Sequence, residues 1–368
     1  MERPRVLILG KLPPPYIGPA VATKIIMESH LNDQFKLFHF DTRINENVSD
    51  MGSFKFSKFS TIRDLYRAFR QKITHTKPAI VLIPIGQTAA GFFKDISFIR
   101  MASASGARVV LQLRGSEFRG WYDGLDAIRK RVVKTHLRKA DGVIVLGENL
   151  RWIFKDLFSE NRIYVVPNGG DYTFPERKNH TLRITYLANY LPGKGLLELL
   201  EALILLNGKK LPSFEFHAFG SWNNPAYRQK CMEIAGRPNM AHCHIHGAVS
   251  GPEKWQALAD SDVFVFAPKT PEGHPWSIVE AMAAGLPVVS TNRGAIAQSV
   301  VHRQNGFLLD HPDPVLLAEA LSNLLKDENL RKSMAGASRQ KYLKDFTASR
   351  MVENLGAVFH DLIYIPLS

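Results

Sequence analysis

The chain has 368 residues, of which 45% are hydrophobic and 22% charged, a composition that excludes an intrinsically disordered chain. The length predicts about two domains of ordinary size. The two cysteines, Cys231 and Cys243, exclude a disulfide-stapled scaffold. No apolar run approaches the roughly 20 residues of a membrane-spanning helix, and the run at 6–10 is too short for a signal-peptide core. We therefore expect a soluble protein of a reducing compartment, the cytoplasm.

The positive charge of the chain lies in its first half. Residues 1–178 contain 29 Lys and Arg against 17 Asp and Glu, a net charge of +12. Residues 179–368 contain 18 against 17, a net charge of +1, so the whole chain carries +13. This asymmetry predicts an anionic partner for the first half alone.

Short apolar runs alternate with segments of helical length along the chain, as expected for strands buried on both faces of a parallel sheet. The runs are 6–9, 37–40, 80–83, 109–111, 143–146 and 163–166, then 184–187, 214–217, 242–245, 263–266, 286–289 and 307–309. A turn-rich stretch at 167–179 separates the two sets, and the pattern after 309 is helical. We predict an α/β fold of two Rossmann-like parallel-sheet domains, 1–170 and 171–350, facing a central cleft.

Two strand–loop–helix segments offer sites for phosphate groups. The first, at 10–20, precedes a helix expected from about Val21, and Gly18 would let the backbone approach a ligand closely. The second, at 189–195, places Lys194 beside the start of the helix 196–206. Taken singly, these segments fit a proline-rich connector and a solvated turn lysine equally well.

The segment 272–290 is the most specific. It follows the strand 263–266, and its helix is expected to begin near Pro275 or Trp276 and to end at Gly285. Glu272 then lies in the loop and Glu280 about one turn into the helix. We expect the two carboxylates to face sugar hydroxyls, because they would repel phosphate, and the backbone N–H groups to face phosphate.

These motifs resemble those of the retaining family 4 glycosyltransferases, which have the two-domain GT-B fold. The resemblance rests on the spacing of Glu272 and Glu280 with its continuation at 281–289, and on the motifs at 13–18, 165–171, 193–195 and 305–309. It is strong over about 160–345 and weaker, but in the same order, over 1–160. The resemblance also implies that the segment 351–368 crosses back to the first domain.

The resemblance implies a nucleotide-sugar donor, UDP- or GDP-linked, held mainly by the second domain, and an acceptor held mainly by the first. It assigns the donor diphosphate to Lys194, the ribose to Glu280 and the donor sugar to Glu272. The backbone of Pro275, Trp276 and Ser277 would hold sugar and phosphate oxygens, and Gly18 would approach the diphosphate from the first domain. The implied reaction retains the anomeric configuration and needs neither a metal nor a cofactor.

Three positions depart from the family pattern. Asn189 stands where the family often has an arginine of the donor clamp, and Pro19 replaces a glycine after Gly18. Arg114 stands where the family often has a histidine, on the acceptor side. An arginine there either binds an acidic or phosphorylated group bidentately or pairs with Glu117.

A basic stretch from Arg129 to Lys139 contains six Lys and Arg and no acid. A second basic segment contains Arg63, Arg67, Arg70 and Lys72, and it follows three phenylalanines, Phe54, Phe56 and Phe59. A solvated helix face and contact with anionic lipid explain this pattern equally well, and nucleic acid is not expected. The lipid interpretation places the protein peripherally on the inner face of the cytoplasmic membrane.

Three further patterns are interpreted as structural. Asp260 and Asp262 resemble a metal-binding acid pair but precede a strand rather than follow one. The histidines His242, His244 and His246 share one strand face with no carboxylate or second cysteine nearby in the sequence, so we expect a core or edge strand. Ser277 has no evident histidine and aspartate partners for a hydrolase triad.

The sequence therefore predicts a retaining, metal-independent glycosyltransferase of hexosyltransferase type that builds a surface polysaccharide, such as lipopolysaccharide, or a glycolipid. Its acceptor would be a glycan or a lipid-linked glycan. Two alternatives stay open: a nucleotide-sugar 2-epimerase on the same fold, and a non-catalytic protein that binds a nucleotide sugar or an anionic surface.

Overall fold

The computed structural model describes residues 2–43, 57–178 and 180–364, and all twelve predicted strands lie within them. The chain divides into two units, Met1–Pro167 with Ala348–Ser368, and Asn168–Thr347. The structure therefore places the divisions after 167 and 347, where the sequence analysis placed them after 170 and 350. We call these the first and second units.

The first unit is a parallel α/β sheet whose four central strands are almost completely buried. Its elements are β1 (Arg5–Gly10), α1 (Gly18–Met27), α2 (Leu31–Gln34), β2 (Lys36–Asp41), α3 (Ser57–Thr76), β3 (Ile80–Ile85), α4 (Ala89–Ala104), β4 (Arg108–Leu113), α5 (Phe118–Asp123), α6 (Ala127–Leu137), β5 (Gly142–Val145) and β6 (Ile163–Val165). Helix α1 begins at Gly18 rather than near Val21, because Pro19 fits the first turn of a helix, where its missing N–H has no partner to lose.

The second unit repeats this arrangement. Its elements are β7 (Leu182–Leu187), α7 (Leu196–Leu206), β8 (Phe214–Phe219), α8 (Pro225–Ala235), β9 (Cys243–His246), α9 (Gly251–Ala259), β10 (Val263–Phe266), α10 (Trp276–Ala283), β11 (Val288–Thr291), α11 (Ile296–Ser299), β12 (Gly306–Leu309), α12 (Pro314–Lys326) and α13 (Glu328–Asp345). Asp313 caps α12 by accepting from the N–H groups of Val315 and Leu316.

The last helix, α14 (Ala348–Tyr364), packs on the first unit. Its buried residues recur at helical spacing and join the core formed with β1 and β3; they are Met351, Val352, Leu355, Val358, Phe359 and Leu362. The Phe359 ring meets Phe35 edge-on, with centroids 5.5 Å apart, and the Tyr164 hydroxyl donates to the Asp361 carboxylate. The apolar stripe of this helix thus completes the core of the first unit.

The order of strands fixes where ligands can bind in each sheet. The first sheet has the order β2-β1-β3-β4-β5-β6 and the second β12-β11-β10-β7-β8-β9, with every pair parallel. The direction in which strands are added reverses between β1 and β3 in the first sheet and between β7 and β10 in the second. Crevices open at such reversals, beyond the carboxyl ends of the strands.

Candidate functional site

The loops that follow β7, β10 and β11 meet at the reversal point of the second sheet. The Lys269 N–H donates to the Gly193 carbonyl over 2.9 Å, and the Ala295 N–H donates to the Glu272 carbonyl over 3.1 Å. A Cβ on Gly294 would lie 1.6 Å from the Glu272 carbonyl oxygen. This glycine has a positive φ of +60°, so the close contact of the loops requires a residue without a side chain.

Lys194 and Glu272 form an ion pair in this site. The Lys194 Nζ lies 2.6 Å from the Glu272 Oε1, and the two side chains are 26% and 15% exposed. Lys194 ends a short 3₁₀ turn, Pro192–Lys194, and Gly195 follows with φ +80° to begin α7. The structure thus brings together two predicted site residues that are separated by 78 positions in the sequence.

Glu280 is buried on α10 and pairs with a residue that the sequence analysis did not identify. Its Oε1 lies 2.6 Å from the Nζ of Lys254 on α9. Desolvation raises the pKa of the Glu280 carboxyl, and the neighbouring Lys254 acts in the opposite direction. A partly desolvated carboxylate with one oxygen engaged is well suited to accept hydrogen bonds from ligand hydroxyls.

The amino terminus of α10 faces this site without a side-chain cap. Pro275 is the N-cap residue in extended conformation, Trp276 and Ser277 follow, and the first turn contains no acid. The first N–H groups of a helix have no partner within the helix and carry the positive end of its dipole. The predicted start of this helix is confirmed, and its end lies at Ala283, two residues before Gly285.

His274, between the two glutamates, is a buried structural residue. The Asn168 N–H donates to its Nδ1 over 3.1 Å, so the Nε2 carries the hydrogen and donates to Ser299 Oγ, 2.7 Å away. The Asn168 side-chain amide also donates to the His274 carbonyl over 2.7 Å. Burial lowers the pKa of His274 to about 3, which keeps the imidazole neutral. This network fixes the loop that carries Glu272.

The cations around the site differ from those of the family pattern. Asn189 is exposed and accepts a hydrogen bond from Ser221 over 2.8 Å, so it supplies no charge. Two cations absent from the sequence-based list lie in the adjoining loops: Lys269, which pairs with Glu198 on α7, and Arg293, whose buried Nε has no hydrogen-bond partner among the described residues. These two cations lie near the site only because the loops that carry them meet in the folded chain. No sequence motif identifies either residue.

The predicted acceptor-side residues Arg114 and Glu117 lie in the first unit, as does Gly18, which is predicted on the donor side. Gly18 is the first residue of α1, and Arg114 follows β4 at the carboxyl edge of the sheet. Within the part of the chain that the structure describes, Arg114 makes no ion pair with Glu117. The Glu117 N–H instead donates to Gln87 Oε1 over 2.7 Å. Of the two roles predicted for Arg114, pairing with Glu117 is not found among the described residues.

The acid pair Asp260 and Asp262 has a structural role, as interpreted from the sequence. Arg177 contacts both oxygens of Asp262 at 2.8 and 2.7 Å, and the Lys178 N–H donates to Asp260 over 2.7 Å. Both carboxylates thus hold the segment that enters the second unit against the amino end of its sheet.

The histidine pattern has a carboxylate beside it, contrary to the sequence analysis. Glu215 on β8, with His217 and His244, presents ligand atoms that all lie within 4.8 Å of one another, a set that could hold a metal ion. His217 Nε2 lies 3.0 Å from Glu215 Oε2 and its Nδ1 lies 3.0 Å from His246 Nε2. Arg183 also contacts Glu215, at 3.1 Å, and this cation opposes the binding of a second one. Sequence reasoning missed the carboxylate because it comes from the neighbouring strand.

The basic stretch forms α6 and its C-terminal turn. Val133 and Leu137 are buried, whereas Ile128 and the cations Arg129, Arg131, Arg138 and Lys139 are exposed. Arg63, Arg67 and Arg70 on α3 are also exposed, and Phe54, Phe56 and the side chain of Phe59 lie outside the described residues. Among the helices that the structure describes, none is long and apolar enough to cross a membrane.

Two parallel six-stranded α/β units of this kind define the GT-B fold, which confirms the fold class predicted from the sequence. The crystal structure of Anabaena Alr3699/HepE in complex with UDP has the same fold. The two structures superpose with a TM-score of 0.75 and 15% sequence identity, and the comparison covers 97% of this chain and 100% of the Anabaena chain.

Comparison of sequences finds a family resemblance in the second unit. Residues 173–341 match the model of the family described as glycosyl transferases group 1, so this part of the chain is similar to that family. The uncharacterized glycosyltransferase MJ1178 of Methanocaldococcus jannaschii is 26% identical over 217 residues, 59% of this chain and 56% of that protein. The capsular polysaccharide biosynthesis glycosyltransferase CapM of Staphylococcus aureus is 25% identical over 244 residues, 61% of this chain and 62% of that protein. The matches thus span less than two thirds of these relatives.

Proposed function

We propose that this protein is a glycosyltransferase that moves a sugar, with retention of anomeric configuration, from a nucleotide diphosphate sugar to a glycan or lipid-linked acceptor. The observation that carries the proposal is the ion pair of Lys194 and Glu272, located at the reversal point of the second sheet beside the free amino terminus of α10. A cation, a helix amino terminus and two carboxylates are the groups that a charged diphosphate and a hydroxylated sugar require.

The proposed roles follow from the charge that develops when the diphosphate leaves. Lys194 and the N–H groups of Trp276 and Ser277 would stabilise that charge, a task that positioned donors perform well at a partly dry site. Lys194 is paired with Glu272, so diphosphate oxygens would share or replace the carboxylate as its partner. Glu272 would then face the donor sugar and Glu280 the ribose. We expect the reaction to proceed without a metal or a cofactor.

The acceptor and the location are proposed from the first unit and from the relatives. CapM is named for capsular polysaccharide biosynthesis, which favours a glycan acceptor here. The exposed cations of α6 favour a peripheral position on anionic lipid at the inner face of the cytoplasmic membrane. Sedimentation with anionic and with neutral vesicles tests this position. Equal binding to both vesicle types would contradict it.

Binding of the donor is tested first by thermal shifts with UDP, GDP, ADP, dTDP and CMP, without added metal. UDP heads this series because Anabaena HepE was solved with it. A ligand that binds only the folded protein stabilises it by about 2.7 kcal/mol at a hundred times its dissociation constant. We expect one diphosphate to raise the melting temperature, Lys194→Met to remove the shift, and the exposed control Lys326→Met to keep it. A shift that is equal in both variants would remove Lys194 from the site.

Turnover distinguishes transfer from the two alternatives. A 2-epimerase would consume the nucleotide sugar without an acceptor, and a non-catalytic binder would leave it intact. We expect product only when a glycan acceptor is present, NMR of that product to show the anomeric configuration of the donor, and Glu272→Ala to abolish it. Inversion at the anomeric carbon would refute the retaining mechanism, and unchanged turnover of Glu272→Ala would remove this carboxylate from the reaction.

A further inference from the structure

The first unit contains a cavity of about 270 Å³ to which no ligand has been assigned above, although Arg114 on its wall is a predicted acceptor-side residue. It lies where β1 and β3 end, which is the reversal point of the first sheet. The residues on its wall that bear on its chemistry are Gly10, Lys11, Gly86, Lys94, Asp95 and Arg114. Its position corresponds to the place where ligands bind in parallel α/β sheets.

Arg114 lines this cavity with a guanidinium group that has no partner among the described residues. Its Nε is buried without a hydrogen bond, and within the described ranges 2–43, 57–178 and 180–364 its side chain forms no ion pair. The side chain is half-buried, and desolvation lowers its pKa to about 10, so the group is still charged at neutral pH. A desolvated charge is costly unless a counter-charge compensates it, and Arg114 follows a buried strand that holds it in place.

The charges on the cavity wall do not cancel. The single carboxylate among the lining residues, Asp95, is already engaged by the Lys94 Nζ at 2.7 Å and by the Gly86 N–H at 2.8 Å. Lys11, which is exposed, is found in no ion pair with any residue the structure describes. Two cations, Arg114 and Lys11, are therefore left to face whatever enters the cavity.

The backbone around the cavity also favours an anion. Helix α1 begins at its rim with no side-chain cap and no acid in its first turn, so the positive end of its dipole lies beside the cavity. The end of β3 approaches the first turn of α4 so closely that a Cβ on Gly86 would lie 2.7 Å from the Gly91 Cα. Position 86 on this wall therefore requires a residue without a side chain.

We propose that this cavity binds the carboxylate or phosphate group of the acceptor, with Arg114 as the specificity-determining residue and Lys11 as a second cation. The identification of the ligand as the acceptor rests on the proposed function; the binding of an oxyanion by the cavity does not. A guanidinium offers two parallel N–H donors that match the oxygens of either group, whereas a neutral sugar would leave this charge uncompensated.

Calorimetric titration of three probes tests the proposal: glucuronate, which carries a carboxylate, glucose 6-phosphate, and neutral glucose. All titrations use the Lys194→Met background, because Lys194 is the other proposed phosphate ligand. Arg114→Gln removes the charge, and Arg100→Gln, an exposed arginine of α4 that does not line the cavity, is the matched control. Circular dichroism establishes that each variant is folded.

We expect at least one acidic probe to bind, Arg114→Gln to weaken it about tenfold to a hundredfold, and Arg100→Gln to leave it unchanged. Glucose should bind equally weakly to all three proteins. Binding of glucuronate alone would identify a carboxylate as the acidic group, and binding of glucose 6-phosphate alone a phosphate. If Arg114→Gln fails to fold, Lys11→Gln at the exposed rim replaces it, with a smaller loss expected for the same probe.

Equal affinity of Arg114→Gln and its control for the acidic probes, or no binding of either probe, would overturn the proposal. The thermal shift by UDP in the protein with Lys194 intact is measured in parallel. A preserved UDP shift with no binding of the acidic probes refutes the cavity site alone. Binding of an acidic probe that depends on Arg114, with no shift by any nucleotide, refutes the donor site while the cavity site stands.

Discussion

Replacing Lys254 by methionine should destabilise the protein strongly, because it leaves the Glu280 carboxylate buried without its partner. The two side chains are 20% and 8% exposed, and their charged atoms lie 2.6 Å apart. Removing one member of a buried ion pair typically costs about 3–5 kcal/mol in the free energy of unfolding. We expect Lys254→Met to lose stability in this range at pH 8.

The loss should depend on pH in a defined direction. Desolvation already raises the pKa of Glu280 above its ordinary value of 4.5, and without Lys254 the pKa rises further. A carboxyl whose folded pKa is raised binds more protons in the folded state than in the unfolded state. The free energy of unfolding therefore falls by about 1.4 kcal/mol for each pH unit above 4.5, up to the folded pKa. The deficit of Lys254→Met relative to wild type should be larger at pH 8 than at pH 5.

Urea unfolding at pH 8 and pH 5 measures this, with Lys332→Met as the control. The pair of Lys332 and Glu328 has the same 2.6 Å separation, but its side chains are 74% and 64% exposed, so we expect no measurable loss. The double variant Lys254→Met/Glu280→Gln should recover much of the stability at pH 8, because the buried charge is gone. Equal losses in Lys254→Met and Lys332→Met, or a deficit that grows toward pH 5, would refute the reasoning.

Three further predictions concern two loops of the second unit and the role of metal in the reaction. Burial lowers the pKa of His274 to about 3, so only the unfolded state takes up a proton as the pH falls below the ordinary pKa of 6.5. The free energy of unfolding of the wild type should therefore fall by about 1.4 kcal/mol for each pH unit between 6.5 and 3. Urea unfolding of His274→Gln should show a weaker dependence on pH in this range, and an identical dependence would contradict the prediction. Gly294→Ala places a Cβ 1.6 Å from the Glu272 carbonyl oxygen at a φ of +60°, so the loop that carries Glu272 must move. Calorimetry should show at least a tenfold loss of UDP affinity for Gly294→Ala and no loss for Gly336→Ala, which has open space around it. Similar affinities of the two variants would show that the loop tolerates the added methyl group. Turnover should survive EDTA, and a loss that is restored by Mg²⁺ would contradict the metal-free mechanism.

Much of the fold could be predicted because it follows from local pattern. The central strands of a parallel sheet are buried on both faces, so most of them are short apolar runs that the sequence shows directly, and all twelve predicted strands are present. The amino terminus of α10 was predicted for the same kind of reason, since the loop before it and its apolar spacing are local features. Helix α1 begins at Gly18, earlier than the expected start near Val21. The reason is that proline, which is common in loops, is also favoured in the first turn of a helix, where Pro19 lies.

The pairing of charges could not be predicted, because it depends on distances between loops that are remote in sequence. Lys194 and Glu272 were each predicted as site residues, but not as partners of one another. Lys254, the partner of Glu280, lies on a helix with no motif of its own. The carboxylate of Glu215 beside the histidines was overlooked because it belongs to the neighbouring strand, and strand order is a tertiary property.

By itself, the sequence determined the two-sheet α/β class, the residues at the ends of its strands and the positive charge of the first half. These features follow from burial pattern, turn chemistry and composition, which are local properties of the sequence. Only the tertiary structure decided which of those charges are compensated. It gives Lys194 a carboxylate partner and Glu280 an ammonium partner, and it leaves Arg114 in a cavity with no partner among the described residues. The physical reason is that an ion pair depends on distance and desolvation, and both are set when separate loops and helices pack together.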